Sequence, residues 1–413
     1  MRFRCAAALR YYLLLMPLQI IKRRSRGFIC VNAHPEGCRR NVERWVAGVK
    51  GSMPAGENVP KNVLVIGAST GYGLASRIAA AWGYGAKTVG VFFERPPDGD
   101  KTATAGHYNT VALHSLAKRD GLFAASVNGD AFSDEIKRAT MDVIRKQMAP
   151  VDMVIYSLAS PKRTDPRTGK THSSVLKPVG QSFTNRTIEL DSEKVVDVTL
   201  QPANEAEIAD TVAVMGGDDW RLWIEMLLEE KLLAPGARTV AYSYIGPEIT
   251  WPIYRDGTIG QAKKDLERAA KDLDSTLAEQ LGGHAWVSVN KAVVTQASAA
   301  IPVVPLYLSL LSMVMKKRNV EEGPLEQMRR MFTDFLCTGS APKLDDMRRM
   351  RLDDREMRPD VQADVAAVWP QVTTENLRQI SDFGGFQREF RGLFGFEVDG
   401  VDYEQPTETD LRW

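Results

Sequence analysis

Short apolar runs alternate with helical patterns through the middle of the chain. Val63–Ile66 is apolar and meets a glycine cluster, an Ala-rich helical stretch follows, and a second apolar run closes at Glu94. The rhythm repeats with apolar runs at Leu122–Asn128, Val151–Leu158, Arg238–Tyr244 and Ala285–Val294, each of strand length. Between them, helical patterns cover about Asn109–Asp120, a segment that Ser133 can cap with Glu135 and Ile136 in its first turn, and about Asp219–Leu232. Strict alternation of this kind predicts a parallel sheet with helices on both faces, and ligands bind such sheets at the carboxyl ends of the strands.

Other stretches depart from the rhythm. Residues 26–58 read as a short strand, a turn and a helix ahead of the main fold. Residues 161–211 are polar and charged, with partial alternation over Thr187–Leu200, and predict an insertion with a small hairpin. Trp220 and Trp223 fall at core spacing on the helix that follows. Val303–Met315 is apolar nearly all round and ends in Lys316, Lys317 and Arg318. It is either a core helix or the wall of an acyl pocket; its basic end either complements the helix dipole or meets phosphates of a carrier. The remainder, 324–413, reads as helical with charged faces, notably Asp345–Arg358 and Thr374–Leu393, and forms a cap on a core spanning 61–323.

The first 19 residues stand apart. No acidic residue precedes Glu36, and arginines bracket the apolar run Tyr11–Ile21. That run is shorter than the ~20 residues a membrane span needs. The leader is either an organellar transit segment or the product of an upstream start codon, with Met16 the true beginning. The expected location is the cytoplasm, or an organelle if the leader is a transit segment.

Composition then narrows the partners. The 413 residues carry a net charge of +1, which gives no electrostatic case for nucleic acid. Four cysteines are too few for a disulfide scaffold. Cys30 and Cys38 flank His34 in CVNAHPEGC, but no fourth ligand is evident, so no metal is expected.

The glycine cluster carries the first chemistry. Gly67-Ala68-Ser69-Thr70-Gly71-Tyr72-Gly73 lies between a strand and a helix, where a pyrophosphate can approach bare backbone N–H groups at a positive helix end. The acidic residue closing the next strand, Glu94, strengthens a dinucleotide reading over a structural turn. No Gly-Lys-Ser/Thr follows, which excludes a P-loop. The spacing G-x3-G-x-G points to a Rossmann-type doubly wound sheet of the short-chain reductase style. Asp130 and Ala131, Leu158 and Ala159 sit at later strand ends, as cofactor contacts or as ordinary loop residues. Val293, Val294 and Thr295 follow the sixth strand, where backbone groups can reach a nicotinamide carboxamide.

The second chemistry is a tyrosine and a lysine after the fifth strand. A phenol can give a proton to a substrate oxygen, and a nearby ammonium lowers the phenol pKa and holds ribose hydroxyls. Tyr254 and Lys263 are nine residues apart. Nine steps of about 100° place two residues on opposite faces of one helix. They converge only if the helix begins between them, and Gly257 and Gly260 supply the break, with Lys263 in the first turn of a helix to about Leu281. Tyr244, at the strand end, is a second candidate beside the substrate carbonyl.

From about Ile20 to the C-terminus the chain resembles the trans-2-enoyl-CoA reductase family, which includes the type V enoyl-acyl-carrier-protein reductases. The segments that carry the resemblance include RGFICVNAHPEGC, VLVIGASTGYGLASRIAAA, GVFFE, NGDAFSDE, YSLASP, TVAYSYIGPEITWPIY with the Tyr-x8-Lys spacing, VVTQASAAIP and WPQVTTENL. The resemblance implies an enlarged short-chain reductase fold with insertions and a helical C-terminal cap, acting as a monomer. It implies NADH as hydride donor to an enoyl-CoA or enoyl-acyl-carrier-protein thioester. It assigns proton donation to Tyr254, cofactor binding to Lys263 and substrate contact to Tyr244. Its cofactor contacts fall on Gly67, Ala68, Ser69, Thr70, Gly71 and Tyr72, on Phe93 and Glu94, and on the later strand-end residues named above. Two other classes share the fold: a carbonyl reductase using NAD(P)H, and a non-catalytic dinucleotide sensor. The wide Tyr–Lys spacing and the apolar helix speak against the first, and the presence of an acid pair against the second.

Overall fold

The computed structural model describes residues 18–26 and 29–413; the leader expected from the sequence lies, up to residue 17, outside the described residues. Seven parallel strands form the central sheet: β1 (Asn62–Ile66), β2 (Lys87–Phe92), β3 (Ala124–Asn128), β4 (Val151–Tyr156), β5 (Leu233–Ser243), β6 (His284–Val289) and β7 (Arg349–Arg351). Their order across the sheet is β7-β6-β5-β4-β1-β2-β3. The chain reverses direction across the sheet between β1 and β4, and the crevice beside such a switch point is where this architecture binds ligands.

Both faces of β1 are covered, which is why its sequence is a continuous apolar run. Val63 and Val65 pack with α1 (Pro35–Val49), α2 (Gly71–Tyr84), α3 (Ala105–Arg119) and α9 (Pro324–Arg330). Leu64 and Ile66 point to the other face, onto α4 (Asp134–Gln147), α6 (Asp218–Glu229) and α7 (Thr258–Leu281). Trp220 and Trp223 are fully buried in that layer. A third core, beyond the sheet, joins Ile253 and Tyr254 to α8 (Val304–Lys317), α10 (Pro359–Val368) and α11 (Phe383–Gly392). Leu306, Tyr307, Leu310, Leu311 and Met315 of α8 are all buried, while Ser312 and Met313 are half-buried, so most of that helix is core.

Several elements differ from expectation. The polar stretch after β4 holds two hairpins, Lys162–Thr164 with Thr171–Ser173 and Phe183–Glu189 with Lys194–Leu200. It also leads into a helix, α5 (Glu205–Met215), whose start is fixed by a capping box of Asn204 and Glu207. Strand β6 stops at Val289, because the Lys291 N–H leaves the ladder for Gln327 Oε1 (2.9 Å). The charged run expected to be helical from Asp345 contains β7 instead, where Arg349 bonds Glu267 (3.0 Å) and Asp345 (2.9 Å) at the sheet edge. Helix α11 begins nine residues later than Thr374, at Phe383.

At the N-terminal side, Leu18–Gln19 pairs antiparallel with Thr407–Glu408. His34 caps α1 by accepting from the Gly37 N–H through Nδ1 (3.3 Å), and Cys30 and Cys38 are buried free thiols.

Candidate active site

The glycine turn is shaped by two clashes that only glycine avoids. Gly67 has φ +86°, and a Cβ there would lie 2.2 Å from the Ser157 carbonyl oxygen. A Cβ on Gly73 would lie 1.9 Å from the Gly67 carbonyl oxygen. The turn is therefore pressed against β4 and against the first turn of α2. Gly67 and Ala68 both donate to Val91 O (2.8 and 3.1 Å), which fixes the turn to β2. Gly71 has φ +51° and open space beyond its α-carbon, and Thr70 makes no side-chain cap bond. The first N–H groups of α2 thus face an open, positively polarised cradle, which fits a pyrophosphate. The Tyr72 hydroxyl is spent inside the fold: it donates to Lys291 O (2.7 Å) and accepts from the Gln327 amide.

Glu94 stands at the end of β2 beside this cradle. Its Oε1 accepts from Ser69 Oγ (2.6 Å), and its backbone exchanges two bonds of 2.8 Å with the Asn128 side chain. A Cβ on Gly106 would lie 2.1 Å from Glu94 Oε1, so glycine there makes room for the carboxylate. Phe93 is 78% exposed. Asp130 turns its Oδ1 to the Phe132 N–H (3.0 Å), and buried Lys137 holds the Ala131 and Phe132 carbonyls (3.0 and 2.9 Å) while paired with Asp219 (2.7 Å). Leu158 is half-buried and Ala159 exposed just past β4. Val293 and Val294 are buried, and Thr295 caps a four-residue helix, Gln296–Ala299. Glu94, Asp130, Ala131, Leu158 and Ala159 thus follow the carboxyl ends of β2, β3 and β4, on the same side of the sheet as the glycine turn after β1.

Tyr254 sits on a turn that follows β5. Its N–H bonds Thr250 O (3.0 Å), which closes the turn begun by the short helix Glu248–Thr250. The helix carrying the lysine begins at Thr258, between the two residues, as the spacing required. Gly260 allows the close approach: a Cβ there would lie 2.4 Å from Tyr254 O and 2.0 Å from Arg255 O. Lys263 is the sixth residue of α7 and so lies in its second turn, not its first. Its Nζ donates to Tyr242 O (3.2 Å). Burial lowers the Lys263 amine to about 8, with Glu267 opposing.

The expectation that Lys263 makes the Tyr254 phenol more acidic is not met. Burial, then the charge of Glu356, pushes the Tyr254 phenol well above its ordinary value. Its proton is held firmly, and among the described residues no group pairs with its hydroxyl. Tyr244 differs. Its ring meets that of Tyr254 edge-on, but its hydroxyl donates to Glu356 Oε1 (3.1 Å). Glu356 also accepts from the Tyr307 hydroxyl (2.7 Å) and the Ala292 N–H (2.8 Å).

Glu356 is the group the sequence did not single out. It lies in a run of alternating charges that reads as a solvated face, yet it is fully buried. The one available signal was its place after the apolar pair Met350 and Leu352. At the basic end of α8, Lys316 pairs with Asp382 (2.6 Å) and Arg318 with Asp360 and Asp364 (both 2.6 Å), while Lys317 is exposed.

Comparison with known proteins agrees with this layout. Residues 20–99 match the family described as the NAD(P)H binding domain of trans-2-enoyl-CoA reductase. Residues 101–337 match the trans-2-enoyl-CoA reductase catalytic region, and 344–407 match a segment described as an enoyl reductase FAD binding domain. The chain is 55% identical over 392 residues to the enoyl-[acyl-carrier-protein] reductase [NADH] of Opitutus terrae, covering 95% of this chain and 99% of that one. It is 56% identical over 389 residues to the protein of the same name from Flavobacterium johnsoniae, covering 94% and 97%. Among solved structures, the Clostridium acetobutulicum trans-2-enoyl-CoA reductase in complex with NADH superposes with a TM-score of 0.92 at 41% identity, covering 95% of this chain and 99% of that one. The Treponema denticola enzyme in complex with NAD gives 0.90 at 46%, covering 96% and 100%. Residues 344–407 do not fit a flavin. Their apolar side chains, among them Val361, Val365, Trp369, Phe383 and Phe386, are buried against α8 and its surroundings. The chain belongs to the trans-2-enoyl-CoA reductase family.

Proposed function

We propose that this chain reduces the trans-2 double bond of enoyl thioesters, with NADH as donor, to give the saturated acyl thioester. The observation that carries the reading is the pair of phenols after β5, one with its proton committed to Glu356 and one with its proton unpaired. NADH, when bound, supplies the hydride that adds to the β-carbon of the substrate. Negative charge then gathers on the thioester oxygen. Tyr254 donates to that oxygen and gives up its proton, which burial has kept in place until needed. The Lys263 ammonium, anchored at Tyr242 O, keeps N–H groups for ribose hydroxyls. Gly67, Ala68, Ser69, Thr70, Gly71 and Tyr72 offer backbone groups to the pyrophosphate, and Val293, Val294 and Thr295 offer theirs to the nicotinamide amide. Asp130 and Ala131 border the adenine, and Leu158 and Ala159 the ribose.

Glu94 takes the adenosine ribose hydroxyls and repels a 2′-phosphate, while Phe93 lends an exposed ring beside the adenine. The Tyr244 ring forms one wall of the substrate site, and the apolar face of α8 continues it for the acyl chain. The thioester is carried by CoA or by an acyl-carrier protein, and the chain acts as a monomer in the cytoplasm. Among the described residues no helix is long and apolar enough to cross a membrane. The test is NADH oxidation with crotonyl-CoA and its carrier-protein thioester against a panel of ketones. Turnover confined to the thioesters is expected, and reduction of ketones alone overturns the reading.

A further inference from the structure

Glu356 is an unusual residue to bury. An isolated carboxylate without partners is costly inside a protein, so its neighbours are arranged to hold it. It accepts from Tyr244 Oη (3.1 Å) and Tyr307 Oη (2.7 Å) through one oxygen, and from the Ala292 N–H (2.8 Å) through the other. Gln362 closes the cluster: its amide donates to Tyr307 Oη (3.1 Å) and to the Glu356 backbone carbonyl (2.6 Å). These partners come from separate parts of the chain. Tyr244 directly follows β5 and faces Tyr254 edge-on with centroids 4.8 Å apart. Tyr307 is fully buried in α8. Ala292 directly precedes Val293–Thr295. On its other side Lys291 is held by Gln327 (2.9 Å) and by Tyr72, whose hydroxyl donates to Lys291 O (2.7 Å).

We propose that Glu356 is a positioning residue for the reduction, tying the wall that faces Tyr254 to the backbone strap at 293–295 through one buried carboxylate. The inference rests on the reading of that strap as the nicotinamide contact. The carboxylate takes the only proton of the Tyr244 hydroxyl. Tyr244 therefore presents a fixed ring to the substrate site, and Tyr254 is left as the donor. The same carboxylate sets the height of the strap through the Ala292 N–H. Without it, both sides of the reaction centre lose their shared anchor, and a displacement of about 1 Å between reacting groups costs on the order of a hundredfold in rate.

The test compares Glu356→Gln with the parent. A glutamine keeps the shape but cannot accept at both ends. The expected result is folded protein that binds NADH within about threefold of the parent Kd, because the adenosine and pyrophosphate contacts are untouched. The fluorescence lifetime of bound NADH shortens as the strap loosens. The kcat with crotonyl-CoA falls at least about tenfold, with a larger primary isotope effect from NADH deuterated at the transferred position. A kcat and lifetime within twofold of the parent overturn the proposal, and so does a loss of kcat that follows lost folded protein with the isotope effect unchanged. If Glu356→Gln does not fold, Tyr307→Phe removes one arm of the bridge while leaving the carboxylate two partners. There a kcat lowered about threefold or more with a raised isotope effect supports the bridge, and parent behaviour overturns it. Failure of the functional reading itself is distinguishable, because the parent would then show no thioester-dependent NADH oxidation.

Discussion

The rings of Tyr244 and Tyr254 meet at 88° with their centroids 4.8 Å apart, and only one of the two hydroxyls has a protein partner among the described residues. The pair divides two tasks that the sequence alone cannot separate. In the proposed reaction one phenol serves as a fixed surface and the other as the proton source.

Tyr254→Phe removes that proton source and little else. Turnover with crotonyl-CoA is expected to fall by about a hundredfold or more, the range of a lost general acid. NADH affinity should stay within about threefold, because the ring and its packing survive. Steady-state kinetics with a fluorescence titration checks both, and unchanged turnover removes Tyr254 from the mechanism.

Glu94 should set the cofactor preference. Its carboxylate sits beside Ser69 at 2.6 Å and would repel a 2′-phosphate, with Arg95 following it. The parent is expected to prefer NADH. Glu94→Ala should shift the ratio of kcat/KM for NADPH over NADH upward by about tenfold, since like-charge repulsion at close range costs over 1 kcal/mol. An NADPH preference in the parent contradicts the assignment.

Gly67→Ala tests the cradle. The residue needs φ +86° and the space that a Cβ would take from Ser157 O. Left-handed strain and the clash together should cost about 2 kcal/mol or more. Thermal unfolding is then expected about 2 °C or more below the parent, with weaker NADH binding. A parent-like melting curve would show that the turn has slack.

Lys263 predicts two opposite pH trends. Burial brings its amine from 10.5 to about 8. Between these values the unfolded chain binds the extra proton, so folding stability rises with pH across that window. A Lys263→Met variant, which has no charge to bury, should therefore be more stable than the parent below pH 8, and the gap should shrink towards pH 10.5. Cofactor use runs the other way: kcat/KM for NADH in the parent falls above about pH 8 as the ammonium is lost. Melting curves and initial rates over the same pH series check the pair.

The sheet and the catalytic turn were legible for physical reasons. Strands covered on both faces must be apolar nearly throughout, so β1, β2 and β4 stand out against their surroundings. The start of α7 was legible because Gly257 and Gly260 mark a place where backbone must touch backbone. Strand β7 was not legible, because its Arg349 and Arg351 spend their charge on Glu267, Asp345 and Asp353, contacts that a local reading cannot supply. Glu356 was missed for the same reason. A carboxylate among arginines is ordinarily at the surface, and only the tertiary fold places it beside Tyr244, Tyr307 and Ala292. The local motif shows a lysine beside Tyr254 but neither the burial that chiefly raises its phenol nor the Glu356 charge, which lies about a hundred residues further along.

The pairing of Leu18–Gln19 with Thr407–Glu408 bears on how the molecule can be re-engineered. It clips together two remote parts of the chain. The segment beyond Glu408 then runs back over β2, where Trp413 rests on His107 and Phe92 with ring centroids 4.8 and 5.5 Å away. Removing Leu18 and Gln19 unfastens this clasp. A cut in an exposed loop such as the one around Gly99 would therefore leave the two pieces held together by this clasp as well as by the sheet.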